Sequence, residues 1–368
     1  MKLRTFEMER WQSVYENAVE YNLSESGVHP ALLADIGVDP QELGKIRLFY
    51  SPSNGSEEFR SLAASLYKGA NEQNIFATIG GAEANFHAAI RLLDPGDDAL
   101  LLLPNYMQIH GIVENFGGRV IPVWNRIENN WIPDPDDIAR AITPKTKFIS
   151  LSNPNNPSAA VFGDDVIKAI CEIAGKHNCW ILSDEVYRGA ERDGQRTPTF
   201  WGHYPKTIIT QSLSKAYGTP GLRLGWLVAP EDLIGEMWAQ ADYVKIAPPT
   251  FSDYIGIRVL KNREKLYERT RELLNRNWPN LKKWIDQRGD LLTYTEPRAG
   301  AICMVKYKHR INSTVLAERL RVEKSTLIVS GDHFGLDGYI RFGFGTEMDY
   351  MYAGLTRVGE VLDSVAMD

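Results

Sequence analysis

Cysteine is scarce in this chain: Cys171, Cys179 and Cys303 are the only three among 368 residues. Their number is odd and their spacing is not that of metal ligands. That argues against a disulfide framework or a zinc site, and for buried free thiols in a reducing compartment. Long apolar runs are missing too. None reaches the roughly 18 residues that a bilayer span requires. The opening stretch, MKLRTFEMERWQS, is charged and amphipathic, so a secretory leader is not expected and a cytoplasmic location is. There is no basic run, and the formal net charge is -6. Nucleic-acid affinity rests on clustered lysine and arginine, so neither a nucleic acid nor a membrane is an expected partner. Internal repeats and low-complexity linkers are absent as well, which leaves an ordinary globular chain.

What is present is size and alternation. With 43% hydrophobic and 24% charged residues, the chain can bury a large domain and a smaller one. Apolar runs at 98–104, 119–123, 147–152, 179–185, 207–212 and 222–229 read as strands. Between them, 111–116 and 166–177 carry helical spacing. This alternation predicts an α/β fold, with a mostly parallel central sheet flanked by helices. A charged helical stretch at 257–278 should then stop at Pro279, followed by a smaller α+β unit. We expect residues 40–280 to form the large domain, and 1–39 with 281–368 to form the small one.

Four motifs follow predicted strands, where open α/β sheets bind ligands. In TIGGAEANFHAA (78–89), two glycines precede a helix, which suits an anion or simply a turn. SNPNNPSA (152–159) presents Asn156 after a proline, or is an asparagine turn. SDEVYRG (183–189) places Asp184 at the end of an apolar run, with Tyr187 three residues on. That aspartate either needs a cation or caps a helix. SLSKAYGTPGLRLGW (212–226) offers Ser212, Ser214, Lys215 and Arg223. Its lysine is either a surface residue or an amine able to form a Schiff base once desolvation lowers its pKa. Singly these are weak signals. Together they supply what pyridoxal 5'-phosphate requires: an amine for its aldehyde, a carboxylate for its pyridinium nitrogen and donors for its phosphate.

The order and spacing of these motifs closely resemble the class I/II aminotransferases, fold type I pyridoxal-phosphate enzymes, from about Tyr50 to Arg341. The resemblance implies that Lys215 carries the cofactor and moves protons. It implies Asp184 as pyridinium partner, and Asn156 and Tyr187 at the ring hydroxyl. Gly81, Ala82, Ser212, Ser214 and Arg223 would hold the phosphate. Tyr106, in LPNYMQIHG, would stack on the ring, and Arg341, in YIRFGF, would clamp the substrate carboxylate. Tyr50, in FYSPSNG, would reach a neighbouring subunit's phosphate, which implies a homodimer with shared sites.

The N-terminus departs from that pattern. YNLSESGVHPALLADI (21–36) stands where such enzymes carry a glycine-and-proline loop. With the tail GDHFGLDGYIRFGFG, it is similar to a subgroup that includes capreomycidine synthase, whose members dehydrate a hydroxylated arginine and close a cyclic guanidine. A guanidinium substrate needs carboxylates near its far end. Glu9 and Glu25 could supply them, His29 could move protons, and Gly27 could line the substrate site, although exposed or capping roles suit the three ionisable residues equally. Two reactions on an amino-acid substrate stay open: cyclodehydration, or amino transfer to a 2-oxo acid. A non-catalytic regulator would have no need of Lys215, Asp184 and Arg341 together.

Overall fold

The computed structural model describes residues 3–365; Met1 and Lys2 of the charged opening stretch lie outside them. The central sheet has seven strands, in the spatial order Ile75–Thr78, Gly225–Val228, Thr207–Ser212, Trp180–Asp184, Thr146–Ser152, Asp98–Leu103 and Arg119–Trp124. The last five run parallel, and Gly225–Val228 is antiparallel to both its neighbours. This is the expected α/β architecture. Strands such as Asp98–Leu103 and Thr207–Ser212 are buried along their whole length, which is why they read as apolar runs rather than alternations. Helix Asp164–His177 turns Ile167, Ile170, Cys171, Ile173 and Ala174 inward. It ends at Asn178, whose φ of 56° marks a left-handed cap. All three cysteines are free and buried.

A four-stranded antiparallel sheet follows, in the order Val329–Ser330, Tyr339–Gly343, Ile302–Tyr307 and Leu292–Tyr294. Among the described residues no helix is long and apolar enough to cross a membrane.

Two sequence expectations are corrected. The run 222–229 becomes a strand only at Gly225, because Pro220–Leu222 is a short 3-10 turn and Arg223 sits at a φ of 50°. The helical stretch at 257–278 is divided between Thr250–Lys261 and Arg263–Asp286. Asn262 separates the two, and its side-chain amide donates to the carbonyls of Ile36 and Arg258. The second helix also passes through Pro279 instead of stopping there. Leu281, Trp284 and Ile285, beyond the proline, are buried in the main core, and that packing offsets the lost backbone bond.

Glycines fix how the N-terminal segment lies. After helix Glu7–Tyr15, residues Tyr21–Asn22 pair with Thr326–Leu327, and Leu23 accepts a backbone bond from Gly343 at 2.7 Å. A Cβ on Gly343 would stand 1.9 Å from the Glu25 carbonyl oxygen, and one on Gly345 would stand 2.3 Å from that of Gly27. Only bare backbone permits this approach.

Replacing Gly343 by alanine should therefore lift the 23–27 segment and destabilise the fold by about 1–3 kcal/mol, the usual scale of overpacking. A urea titration followed by circular dichroism would read the change as a lower midpoint. An unchanged midpoint would show that the segment is not held there.

Candidate active site

Strand register brings the motifs together. Ser152 lies opposite Asp184, Asp184 opposite Thr210, and Ser212 opposite Gly225. The segments carrying Asn156, Tyr187 and Lys215 therefore leave the sheet from one edge. Gly225 completes the edge: a Cβ there would come within 2.7 Å of the Gly80 carbonyl carbon and 2.9 Å of the Gly81 nitrogen. The glycine turn can thus lie directly against the strand end. A cavity of about 400 Å³ opens above this edge, and helix Glu7–Tyr15 with residues 25–26 contributes to its lining.

One end of the cavity suits an anion. Helix Gly80–Leu92 begins there without a side-chain cap, so its first N–H groups are available and its positive end faces the space. Gly81, Ala82, Ser212, Ser214 and Arg223 all line it. Arg223 packs so closely on the turn that a Cβ on Gly80 would stand 2.7 Å from its Nη2.

The floor carries Asp184. Its Oδ2 accepts from Asn85 Nδ2 at 2.9 Å, and its Oδ1 accepts from the Val186 N–H at 3.1 Å. Asn85 is aimed in turn by Thr210, whose hydroxyl donates to Asn85 Oδ1 at 2.7 Å. Burial raises the Asp184 pKa against these bonds and against the charge of Lys215. Among the described residues no cation comes within ion-pair distance of this carboxylate. The Tyr187 hydroxyl is buried without a hydrogen-bond partner; Ser26 lies near enough to affect its acidity but not in bonding geometry. Tyr106 lines the cavity, and its hydroxyl donates to Glu9 Oε1 at 2.7 Å.

Lys215 faces Glu25, with Nζ 3.1 Å from Oε1. The same oxygen accepts from the N–H groups of Ser26 and Gly27, at 2.8 and 2.7 Å. Gly27 is therefore close to the lysine, and a Cβ there would stand 3.6 Å from Lys215 Cδ. Desolvation was expected to lower the Lys215 pKa. Burial does act in that direction, but the Glu25 charge and hydrogen bond outweigh it, and the pKa is raised. Glu25 is brought down to about 2, by Lys215 above all, although burial opposes this.

Arg341 is fully buried. It donates to Asn156 Oδ1 at 2.8 Å and to the Ser24 carbonyl at 2.7 Å, while its Nε finds no partner. A buried guanidinium with no acid beside it suits an incoming carboxylate.

Four residues singled out from sequence do not line the cavity: Arg341 and Gly27 sit behind it, bonded to the lining residues Asn156 and Glu25, whereas His29 and Tyr50 lie elsewhere. His29 does not line the cavity; its side chain is half-exposed, with Nε2 4.0 Å from Glu347 Oε1. Its backbone explains the direction, since the His29 N–H is tied to the Gly345 carbonyl at 2.6 Å. Tyr50 is 81% exposed and lies outside this chain's cavity. Among the cavity residues that escaped the sequence reading, two carry side chains that bear on the chemistry. Asn85 is four residues beyond Gly81 and so on the same helical face. Glu16 lies seven beyond Glu9, again on one face, and lines the cavity with Glu9 and Glu25. Burial raises the Glu16 pKa, and the charges of Glu25 and Glu9 add to it.

The residues present fit pyridoxal phosphate. The orphaned Tyr187 hydroxyl, the unpaired Asp184 carboxylate and the uncapped glycine turn answer to its ring hydroxyl, pyridinium nitrogen and phosphate. Lys215 lines the same cavity.

Known proteins agree with this fit. The family model described as aminotransferase class I and II matches residues 23–357. A solved structure of a PLP-dependent aminotransferase from Streptococcus suis shares 31% identity, with a TM-score of 0.93 and full coverage of both chains. Aspartate/prephenate aminotransferase from Thermus thermophilus is 26% identical, over 85% of this chain and 83% of its own. Capreomycidine synthase from Streptomyces vinaceus is 25% identical, over 98% of this chain and 94% of its own.

The Lys215–Glu25 pair makes a pH prediction for the cofactor-free protein. A depressed carboxyl pKa stabilises the fold fully above its ordinary value of 4.5, and that contribution fades as pH falls toward about 2. Carbon NMR of labelled glutamate should place the Glu25 midpoint in that low range. In Lys215→Met the midpoint should rise by about one unit or more, the usual effect of losing an adjacent opposite charge. An unmoved midpoint would contradict the pairing.

Proposed function

This chain belongs to the aminotransferase class I and II family and is a pyridoxal-phosphate enzyme, and on that premise we propose that it dehydrates and cyclises a hydroxylated, arginine-like α-amino acid. The observation that carries this reading is the convergence of Glu9, Glu16 and Glu25 on the cavity that also holds Lys215. Three carboxylates around the outer pocket favour a cationic side chain and repel an acidic one. The likeness to capreomycidine synthase supports it, because 98% coverage of this chain takes in the segment bearing all three glutamates.

In this reading Arg341 binds the substrate α-carboxylate, a bidentate task suited to guanidinium. Asp184, Asn156, Tyr187 and Tyr106 hold the cofactor ring, and Gly81, Ala82, Ser212, Ser214 and Arg223 hold its phosphate. When bound, pyridoxal phosphate supplies a conjugated ring that takes up the electron pair left at the substrate Cα. Lys215, as the free amine rather than the ammonium that pairs with Glu25, removes the Cα proton, and Glu25, itself held by the Gly27 N–H, fixes its position. Glu16, whose carboxyl is kept more protonated by burial and by its acidic neighbours, gives a proton to the departing hydroxyl, which leaves as water. A guanidine nitrogen then bonds to the vacated carbon and returns a proton to Glu16, and Lys215 gives its proton back to Cα. The balance is one water lost, one ring closed and the α-amine kept. Glu9 holds the guanidinium from the Tyr106 side.

A second reading, amino transfer to a 2-oxo acid, draws on the likeness to the Thermus aspartate/prephenate aminotransferase and uses the same Lys215, Asp184 and Arg341. In both readings the protein works as a homodimer, with Tyr50 reaching the neighbouring subunit's phosphate. Leu48, Phe49 and Tyr50 are 78%, 62% and 81% exposed in the single chain, as an interface would require. The domain division proposed is 40–280 against 1–39 with 281–368.

Mass spectrometry of amino-acid incubations, with arginine and its hydroxylated forms included, decides between the two reactions. Loss of one water with the amine retained is expected; stoichiometric transfer of the amine to a 2-oxo acid would overturn the cyclisation. Glu16→Gln should lower kcat/KM for the cationic substrate by roughly a hundredfold or more, the scale of losing a general acid. Unchanged turnover would remove Glu16 from the reaction.

A further inference from the structure

Behind the glycine turn three buried ionisable side chains meet: Glu83, His87 and Lys245, none of which lines the cavity. Glu83 lies in the first turn of helix Gly80–Leu92. Its Oε2 accepts from the N–H of Ile79, the residue before the helix, and its Oε1 lies 3.2 Å from His87 Nε2. Lys245 comes from the stretch between helices Glu231–Ala241 and Thr250–Lys261. Its Nζ donates to the Ala77 carbonyl at 2.5 Å, stands 3.5 Å from Glu83 Oε2 and lies 4.7 Å from the Phe76 ring centroid. The side chain of Lys245 is 3% exposed, whereas its neighbours Tyr243 and Ile246 are 94% and 63% exposed. A stretch that turns its lysine inward and its apolar residues outward reverses the ordinary preference. The desolvation it costs needs a compensating charge, and Glu83 is that charge.

Glu83 is itself a difficulty for the site. A carboxylate in the first turn of this helix shares the positive end that would receive the phosphate, and it repels a dianion. Lys245 cancels that repulsion. The pair also grips the chain entering the turn, since Lys245 holds the Ala77 carbonyl and Glu83 holds the Ile79 N–H, on either side of Thr78. Burial raises the Glu83 pKa, yet His87, Lys245 and the Ile79 N–H together bring it below its ordinary value.

We propose that Lys245 is a positioning residue for the cofactor phosphate: by neutralising Glu83 and holding the Ala77 carbonyl, it keeps the Gly80–Gly81 turn electropositive and in place. This stands apart from the reaction assigned above and holds for either reading of it.

The test is equilibrium binding to the cofactor-free protein, followed by absorbance, with pyridoxal phosphate, pyridoxal and inorganic phosphate as probes. In Lys245→Met the Kd for pyridoxal phosphate should rise about tenfold, while that for pyridoxal, which lacks the phosphate, should move less than about twofold. Adding Glu83→Gln to Lys245→Met should restore most of the lost affinity. Equal loss for the two aldehydes, no loss for either, or a double variant no better than the single would overturn the proposal. If Lys245→Met does not fold, Glu83→Gln alone carries the test. Inorganic phosphate must then compete with pyridoxal phosphate at least as well as in the unaltered protein, and weaker competition would overturn it.

Discussion

The site depends on the register of four neighbouring strands. Ser152, Asp184, Ser212 and Gly225 fall at one edge of the sheet because each strand pairs with the next without slippage there. A shift of one residue would turn Asp184 to the opposite face. Gly225 adds a second constraint, since any larger residue would push the Gly80–Gly81 turn away from the strand end. Everything that suits the cofactor follows from these two conditions, with the motifs spread over more than a hundred residues of chain.

Charge is left unbalanced around the cavity in a specific way. Asp184 has amide and backbone donors but no cation, Arg341 has acceptors but no carboxylate, and the helix start at Gly80 has no cap. Burial makes each of these arrangements costly. A pyridinium, an α-carboxylate and a phosphate would satisfy them in turn. By contrast Asp98, also buried, is paired by Arg119 at 2.7–2.8 Å.

Most of the cavity lining was legible because it sits on short motifs directly after apolar strands, and strands buried on both faces announce themselves. Residues acting through another residue were harder to see. Asn85 looks like any polar residue within a helix, and only its four-residue spacing from Gly81 hints that it faces the floor. Glu16 shares a face with Glu9, but a charged amphipathic helix has many such pairs. Lys245 could not be found from pattern at all, since its apolar neighbours point outward and it points inward. His29 reads as a ready acid–base group beside SESG, yet the Gly345 backbone carries it past the cavity. The helix break at Asn262 and the passage through Pro279 both follow from tertiary contacts that override local signals.

The first shell around Lys215 cannot by itself select a reaction, because the same groups serve transfer and elimination alike. Selection must come from the rest of the cavity lining, to which the N-terminal segment contributes Met8, Glu9, Gln12, Glu16, Glu25 and Ser26. Its leading residue is Glu25. The N–H groups of Ser26 and Gly27 and the Lys215 amine all converge on Oε1, and among the described residues none bonds Oε2. A carboxylate so anchored is rigid on one oxygen and free on the other, the arrangement that a second cation can use. The bare backbone of Gly343 and Gly345 is what allows the segment to lie low enough to present it. Thus the feature that departs most from the family's usual N-terminal loop is also the one that brings acidic side chains to the cavity.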